Sequence, residues 1–183
     1  MEKKEVRVFG VTYSPSTGTV VLILEELGGE RILPVWIGEF EGQSIDMALR
    51  GIRPQRPFPY DLLISAVQRL GAGVQEITVS SLRDNTFFAT IKVIKGDETI
   101  LLDSRTSDAV AIALRSKAPI YASEEVLGEA GYPKKFLNKV FEAEKGEGGG
   151  EEKSEEISEN EYEKFKEFIE KVRPEDFLKP GEG

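Results

Sequence analysis

The chain has 183 residues, of which 39% are hydrophobic and 31% are charged, enough for one ordinary folded domain with a heavily charged surface. It contains no cysteine and no histidine, which excludes disulfides, thiolate zinc sites, Ser-His-Asp triads and two-histidine ribonuclease mechanisms. Hydrolysis would therefore depend on carboxylates, hydroxyls, lysine or arginine, together with a hard cation such as Mg²⁺ or Mn²⁺. Abundant Glu, Lys and Arg without cysteine is typical of heat-adapted proteins.

The formal net charge of -9 is unevenly distributed along the chain. Residues 142–183 hold 15 acidic and 7 basic side chains, whereas residues 1–141 hold 18 acidic and 17 basic ones. The predicted folded part is therefore almost neutral and lacks the strongly basic footprint of a dedicated nucleic-acid-binding domain. Neither a signal peptide nor an apolar run of membrane-spanning length is visible, so we expect a cytoplasmic protein.

The spacing of apolar residues predicts the elements in chain order. Alternation predicts strands over 5–13, 19–26 and 31–37, and helical spacing then predicts a helix over 39–49. Three prolines interrupt regular structure before a second helix over 61–70, for which Asp61 is the expected cap. The remaining predictions are strands over 74–82, 86–94 and 99–103, a helix over 106–117, a strand at 120–121 and short helices through Phe141.

Composition divides the chain into a folded domain at 1–141, a flexible acidic linker at 142–158 and a C-terminal amphipathic helix with its tail at 159–183. The linker is rich in Gly and Glu and cannot bury apolar surface. The helix is predicted from apolar side chains at three- and four-residue spacing, namely Tyr162, Phe165, Phe168, Ile169 and Val172. Because one isolated helix of this length is marginal in water, we expect it to dock on the domain, on another subunit or on a partner.

The order of predicted elements repeats, which suggests two β-β-β-α units near 5–51 and 74–117. Both helices end in Ala-Leu-Arg, at Arg50 and at Arg115. Chance is the alternative explanation, because this is an ordinary helix ending. A true duplication would make the strand-to-helix junctions at 36–42 and 103–108 equivalent, with two helix N-termini related by an approximate two-fold axis.

The second junction holds a dense polar cluster made of Asp103, Ser104, Arg105, Thr106, Ser107 and Asp108. Free backbone N–H groups at a helix start suit a phosphate or another anion, and carboxylates at the same place could hold a divalent metal. A simpler interpretation is that Thr106 or Ser107 caps the helix and Asp108 complements its dipole.

For phosphodiester hydrolysis, the candidate catalytic residues are Asp103, Arg105 and Asp108. Asp103 and Asp108, with Glu41 from the equivalent junction, are the candidate ligands of Mg²⁺ or Mn²⁺, and Arg105 would bind the phosphate bidentately. The candidate substrate-binding residues are Arg50, Arg53, Arg56, Ser104 and Ser107. For the three arginines, solvent exposure or ion pairing with nearby acids is an equally weighted alternative.

Four short blocks of the sequence carry a resemblance to a known family. In chain order they are Leu33-Pro34-Val35-Trp36-Ile37-Gly38 with Glu41-Gly42, Arg56-Pro57 with Asp61-Leu62-Leu63, Asp84-Asn85-Thr86-Phe87-Phe88-Ala89, and Asp103-Ser104-Arg105-Thr106-Ser107-Asp108-Ala109. From about Val6 to Tyr121 the sequence resembles the bifunctional nuclease domain family. This resemblance implies an α+β domain with a mixed, mainly antiparallel sheet and self-association. It also implies nuclease activity on RNA and DNA with little sequence preference.

The sequence therefore predicts an α+β fold whose mixed, mainly antiparallel sheet is built from two β-β-β-α repeats with packed helices, plus a C-terminal amphipathic helix. The predicted function is a metal-dependent nuclease that hydrolyses phosphodiester bonds of RNA and DNA. Its expected partners are nucleic acid and a second copy of the chain, most simply in a dimer, and no membrane. The alternative is a non-catalytic oligomeric scaffold or regulatory interaction module, in which the Asp and Arg side chains form an ion-pair network between the repeats.

Overall fold

The computed structural model of the chain describes residues 2–14 and 19–137. Its elements are β1 (Lys3–Ser14), β2 (Thr19–Glu26), β3 (Arg31–Ile37), α1 (Glu39–Leu49), α2 (Pro59–Arg69), β4 (Gly73–Arg83), β5 (Thr86–Lys95), β6 (Glu98–Arg105), α3 (Thr106–Ser116), β7 (Ile120–Ser123), α4 (Glu124–Ala130) and β8 (Tyr132–Pro133). The predicted linker at 142–158 and C-terminal helix at 159–183 lie outside the described residues. Within the described ranges, no helix is both long and apolar enough to cross a membrane.

The described strands form a single mixed sheet in the order β6-β5-β4-β7-β1-β2-β3-β8. Strands β1 to β3 form one antiparallel meander and β4 to β6 form another. Strand β7 lies between the two meanders, parallel to β4 and antiparallel to β1. The predicted α+β class and the two β-β-β-α units are therefore confirmed. The first strands of the two meanders, β1 and β4, run in opposite directions on either side of β7.

Helices α1 and α3 pack against one another and cover one face of the sheet. The core beneath them is apolar and includes Leu22, Leu24, Ile77 and Val79, each with no more than traces of exposed surface. Burying a side chain of this size stabilises the fold by roughly 1.5–3 kcal/mol. At Gly42 a Cβ would overlap the Val20 side chain, so glycine lets α1 approach the sheet closely.

Two predicted helix caps differ in the structure. Helix α2 begins at Pro59, whose fixed φ and missing N–H suit the first helical position. Asp61 still caps this helix, but from its third residue, where the carboxylate accepts a hydrogen bond of 2.9 Å from the Phe58 backbone N–H. Neither Thr106 nor Ser107 is the N-cap of α3, because Arg105 holds that position and both hydroxyl residues are buried.

Candidate functional site

Arg105 is the central residue of a charged cluster at the start of α3. Its Nε donates to Oδ2 of Asp108 at 2.7 Å, and Nη2 donates to Oδ1 at 3.1 Å. The same Nη2 lies 2.8 Å from Oε1 of Glu41. Asp108 is the third residue of α3 and Glu41 is the third residue of α1. Two equivalent helix starts, expected from the repeat, therefore meet at one guanidinium.

Tyr60 completes this group, called below the Arg105 cluster (Glu41, Tyr60, Arg105 and Asp108). Its hydroxyl donates a hydrogen bond of 2.7 Å to Oδ1 of Asp108. Burial, and then this hydrogen bond, raise the pKa of Tyr60, so the phenol stays protonated at neutral pH. The hydrogen bond to Asp108 is the largest of the causes that raise the pKa of Arg105, which therefore keeps its positive charge.

The Arg105 cluster borders a cleft of about 520 Å³ between α1, the start of α2 and the start of α3. The cleft is lined by Phe40, Glu41, Gln43, Ser44, Met47, Phe58, Pro59, Tyr60, Arg105 and Asp108. The Arg105 side chain is 68% exposed, whereas those of Glu41 and Asp108 are 16% and 24% exposed. The guanidinium thus faces water while the acids that hold it lie in the wall. The cluster therefore carries one positive and two negative charges, and its positive group is the one most exposed to water.

A second arginine, Arg115 at the other end of α3, lies deeper and connects three helices. Its Nε donates to Oδ1 of Asp61 in α2 at 3.0 Å, and its Nη2 donates to Oγ of Ser44 in α1 at 2.7 Å. The guanidinium also lies 5.4 Å from the centre of the Tyr60 ring. With only 11% of its side chain exposed, Arg115 holds in place the helices that carry the Arg105 cluster.

Of the predicted catalytic residues, the structure brings Arg105 and Asp108 together but leaves Asp103 apart. Asp103 is exposed and pairs with Thr90 across β5 and β6. Its neighbour Ser104 pairs with the buried core residue Ala89. Because successive strand residues point to opposite faces, the Asp103 side chain lies on the face of the sheet away from the helices. The expected metal pair of Asp103 and Asp108 is therefore not formed.

The predicted substrate-binding residues are also scattered. Ser107 is buried, and Ser104 donates a hydrogen bond of 3.0 Å to the carbonyl of Arg105. Arg50 pairs with Asp46 one helical turn away at 2.9 Å and is 67% exposed. Arg53 and Arg56 are exposed in the segment between α1 and α2. None of these residues lines the cleft, although the segment that carries the arginines leads into its wall at Phe58.

The donor chemistry of the described residues does not form a ready metal cage. Within residues 2–14 and 19–137, no three acidic side chains lie close enough together to hold a metal ion. Of the three predicted ligands, Glu41 and Asp108 are bound to the Arg105 guanidinium, and Asp103 lies on the opposite face of the sheet. A resident divalent cation would have to compete with this guanidinium for the same oxygens.

Replacing Gly38 by alanine is expected to separate Glu41 from Arg105 without unfolding the chain. A Cβ at this position would overlap the Glu41 carboxylate, which is flexible and must move aside. The backbone φ of -69° suits alanine, so the free energy of unfolding should change by less than about 1 kcal/mol. The NMR resonance of the Arg105 Nε–H should shift, because its second carboxylate is lost.

Gly73→Ala is the matched control, because an added Cβ there meets open space. The Arg105 resonance should stay in place in this variant. An unshifted resonance in Gly38→Ala would contradict the contact between Glu41 and Arg105.

Comparison with known sequences defines the class of protein. The sequence model of the bifunctional nuclease domain matches residues 22–135, a span that includes every member of the Arg105 cluster as well as Arg115. The chain therefore belongs to the bifunctional nuclease domain family.

Individual relatives differ in how much of their length is matched. An uncharacterized protein of Mycobacterium tuberculosis is 38% identical over 173 residues, which cover 94% of this chain and 97% of the relative. Bifunctional nuclease 1 of Oryza sativa subsp. japonica is 29% identical over 123 residues, which cover 66% of this chain and 37% of the relative. Bifunctional nuclease 1 of Arabidopsis thaliana is 29% identical over 115 residues, 61% of this chain and 35% of the relative. The relatives named as nucleases thus share one region of their sequence with this chain.

Proposed function

We propose that the chain is a nuclease that hydrolyses phosphodiester bonds of RNA and DNA at the cleft beside the Arg105 cluster. The observation that carries the proposal is the exposed guanidinium of Arg105, held by two carboxylates at the mouth of a cleft with aromatic walls. Family membership supports the same activity, because plant relatives matched over part of their length are named bifunctional nucleases.

Arg105 is the proposed phosphate ligand. The carboxylates of Asp108 and Glu41 contact its Nε and Nη2 atoms, which leaves the two N–H groups of Nη1 to bind a phosphate oxygen in the cleft. An arginine that is already oriented need not be ordered again when charge develops on the phosphoryl group. This stabilisation of charge on the phosphate requires no histidine, a residue that the chain lacks.

The aromatic walls of the cleft are the proposed contact for nucleobases. Phe40 is 85% exposed and Phe58 is 38% exposed, and both line the cleft beside Arg105. A base that stacks on an exposed ring gains stability whatever its hydrogen-bonding edge, because every base has a π face. Exposed arginines at positions 53 and 56 would contact neighbouring phosphates of the same strand. This combination favours single strands and little sequence preference.

Glu41 is the proposed acceptor of the proton from the attacking water. The Glu41 carboxylate, which stays on Nη2 of Arg105, would lie beside a phosphate oxygen bound at Nη1. The water oxygen then forms a bond to phosphorus as Glu41 takes one of its protons, and the bond to the leaving sugar oxygen breaks as that oxygen takes a proton from solvent water. Tyr60 holds Asp108, and so Arg105, in place throughout.

Dependence on Mg²⁺ or Mn²⁺ is a separate proposal. Mg²⁺ is commonly bound through one or two carboxylates together with substrate phosphates, and Glu41 and Asp108 are the acids beside the proposed phosphate position. We expect cleavage to stop in the presence of a chelator and to return on addition of Mn²⁺. Cleavage that continues after chelation would contradict metal dependence but leave the nuclease proposal standing.

The test of the nuclease proposal compares two aspartates that the sequence placed in one site and the structure separates. Asp108→Asn should lower cleavage of single-stranded RNA or DNA by about 100-fold or more, because Arg105 loses the charged partner that holds both its Nε and Nη2 atoms. Asp103→Asn should cleave at the rate of the unmodified chain, because its side chain lies away from the cleft. Equal activity in both variants, or none in the unmodified chain at any metal concentration, would overturn the proposal.

A non-catalytic scaffold remains the second candidate function, and one observation favours it. Arg105 and Arg115, both from the second repeat, bond to Glu41 and Ser44 of the first repeat. On this view the two arginines hold the halves together, and Asp108→Asn would lower the thermal stability of a chain that never cleaves nucleic acid. Measuring cleavage and melting temperature on the same two variants separates the candidates.

A further inference from the structure

Strand β6 forms one edge of the sheet and is unusually open. It extends over eight residues, Glu98–Arg105, without proline, and its pairing with β5 has no bulge. Leu101 is 65% exposed and Leu102 is 43% exposed, and no described strand pairs with the outer side of β6. Edge strands are usually protected by charge, proline or a covering element, because they pair readily with other chains. In β6 the charged residues Glu98, Asp103 and Arg105 flank an uncharged centre from Thr99 to Leu102.

The opposite edge of the same sheet shows such protection. In the described part of the chain, strand β8 pairs only with Arg31 and Ile32 of β3, and its Pro133 lacks a backbone N–H to offer to a further strand. The rest of β3 contains Pro34 and is buried up to Trp36. The two edges thus differ, and of these only β6 presents a long run of backbone groups and leucines to solvent. We therefore expect another polypeptide segment to pair with the outer side of β6.

We propose that the occupant is a second copy of this chain, whose β6 pairs antiparallel with β6 of the first across a two-fold axis at Leu101. In this register Leu101 lies opposite itself on one face of the extended sheet. Ile100 lies opposite Leu102 on the other face. Every apolar side chain of the strand then meets an apolar side chain, and the backbone bonds of both edges are satisfied.

The polar residues of the strand fit the same register. Asp103 lies opposite Thr99, whose hydroxyl can donate to the carboxylate, and Glu98 lies opposite Ser104, so no like charges face one another. Moving the axis by one residue to Leu102 would place Asp103 against Leu101 and Thr99 against Arg105. The pattern therefore selects the axis at Leu101 and gives a role to Asp103, which the cleft does not use.

Such pairing would place the two Arg105 clusters on the same face of one continuous sheet. Each Arg105 lies four residues from the axis, so the two would be separated by about 26 Å along the strand direction at a rise of roughly 3.3 Å per residue. The dimer stands on the edge strand alone and does not require nuclease activity.

Cysteine cross-linking tests the register, because the chain contains no cysteine of its own. In Leu101→Cys the two new thiols would lie opposite one another, within the Cα separation that a disulfide accepts, and mild oxidation should yield a covalent dimer. In Thr99→Cys the two thiols would lie about 13 Å apart along the strand and should stay unlinked. Equal cross-linking at both positions, or stronger cross-linking in Leu102→Cys than in Leu101→Cys, would overturn the proposal.

Sedimentation of uncross-linked protein provides an independent measurement. Leu101→Lys would place two ammonium groups face to face and should raise the dimer Kd by about tenfold or more. Leu62→Lys on α2 is the matched control, because Leu62 is also 65% exposed but lies far from the edge in sequence and on a helix, and its Kd should stay unchanged. A chain that remains monomeric at ~100 µM, or a dimer that is insensitive to Leu101→Lys, would refute pairing through β6.

Discussion

Replacing Arg105 by alanine is expected to lower kcat/KM for single-stranded RNA by about 100-fold or more, with little change in melting temperature. The side chain is 68% exposed, so its ion pairs are screened by water and contribute little to folding. Its removal takes away the proposed phosphate ligand and leaves Glu41 and Asp108 to repel the substrate. Rates on a fluorogenic RNA and calorimetric melting of the same preparations would measure both effects.

Arg105→Lys and Arg69→Ala make this comparison specific. Lysine keeps the charge but cannot contact two carboxylates and a phosphate through one planar fork, so its rate should lie between those of the unmodified chain and Arg105→Ala. Arg69 is an exposed arginine at the end of α2, outside the cleft, and its replacement should leave the rate unchanged. Cleavage at the normal rate by Arg105→Ala would show that the Arg105 cluster takes no part in the reaction.

Replacing Arg115 by methionine is expected to destabilise the fold by about 3 kcal/mol, because the polar groups that bond to it in a partly buried site between three helices lose their partner. Methionine fills much of the volume but donates no hydrogen bond to Asp61, to Ser44 or to the Ala111 carbonyl. For a chain of this size the melting temperature should fall by roughly 6–12 °C. Calorimetry or denaturant unfolding measures the loss directly.

The repeat supplies the control for this prediction. Arg50 occupies the same place after Ala-Leu in the first repeat, yet it is 67% exposed and, among the residues that the structure describes, its ion pair is with Asp46 one turn away. Arg50→Met should therefore change the free energy of unfolding by about 0.5 kcal/mol or less. Equal losses for the two variants would show that the Arg115 bonds across helices contribute no more than a surface pair.

The fold could be predicted from local patterns because each element has its own spacing of apolar residues. The repeat also predicted that the helix starts at 36–42 and 103–108 are equivalent places, and in the structure Glu41 and Asp108, each the third residue of its helix, both contact Arg105. The prediction that Asp103 and Asp108 share a site relied on the number of polar residues between positions 103 and 108. Asp103 is close to Asp108 in sequence, but alternation along β6 places its side chain on the other face of the sheet. Proximity along a strand is therefore a poor guide to a shared site.

Tyr60 and Arg115 could not be identified as members of the site from sequence alone. Tyr60 reaches Asp108 because α2 packs against α3. Arg115 reaches Asp61 through the same packing and reaches Ser44 because α1 also packs against α3. Such contacts between residues about 50 positions apart depend on helix packing, which apolar spacing does not determine. The one available signal for Arg115 was its place in the Ala-Leu-Arg ending, which Arg50 shares without the same contacts.

Strand β7 has a consequence for how the chain is made. It joins β1 to β4 but comes after all six strands of the two meanders in sequence. A nascent polypeptide whose residues 120–123 are still inside the ribosome would carry two separate half-sheets with unpaired inner strands. The single sheet forms only when β7 pairs with both β1 and β4. A chain shortened before Ile120 should therefore aggregate rather than form a smaller stable domain.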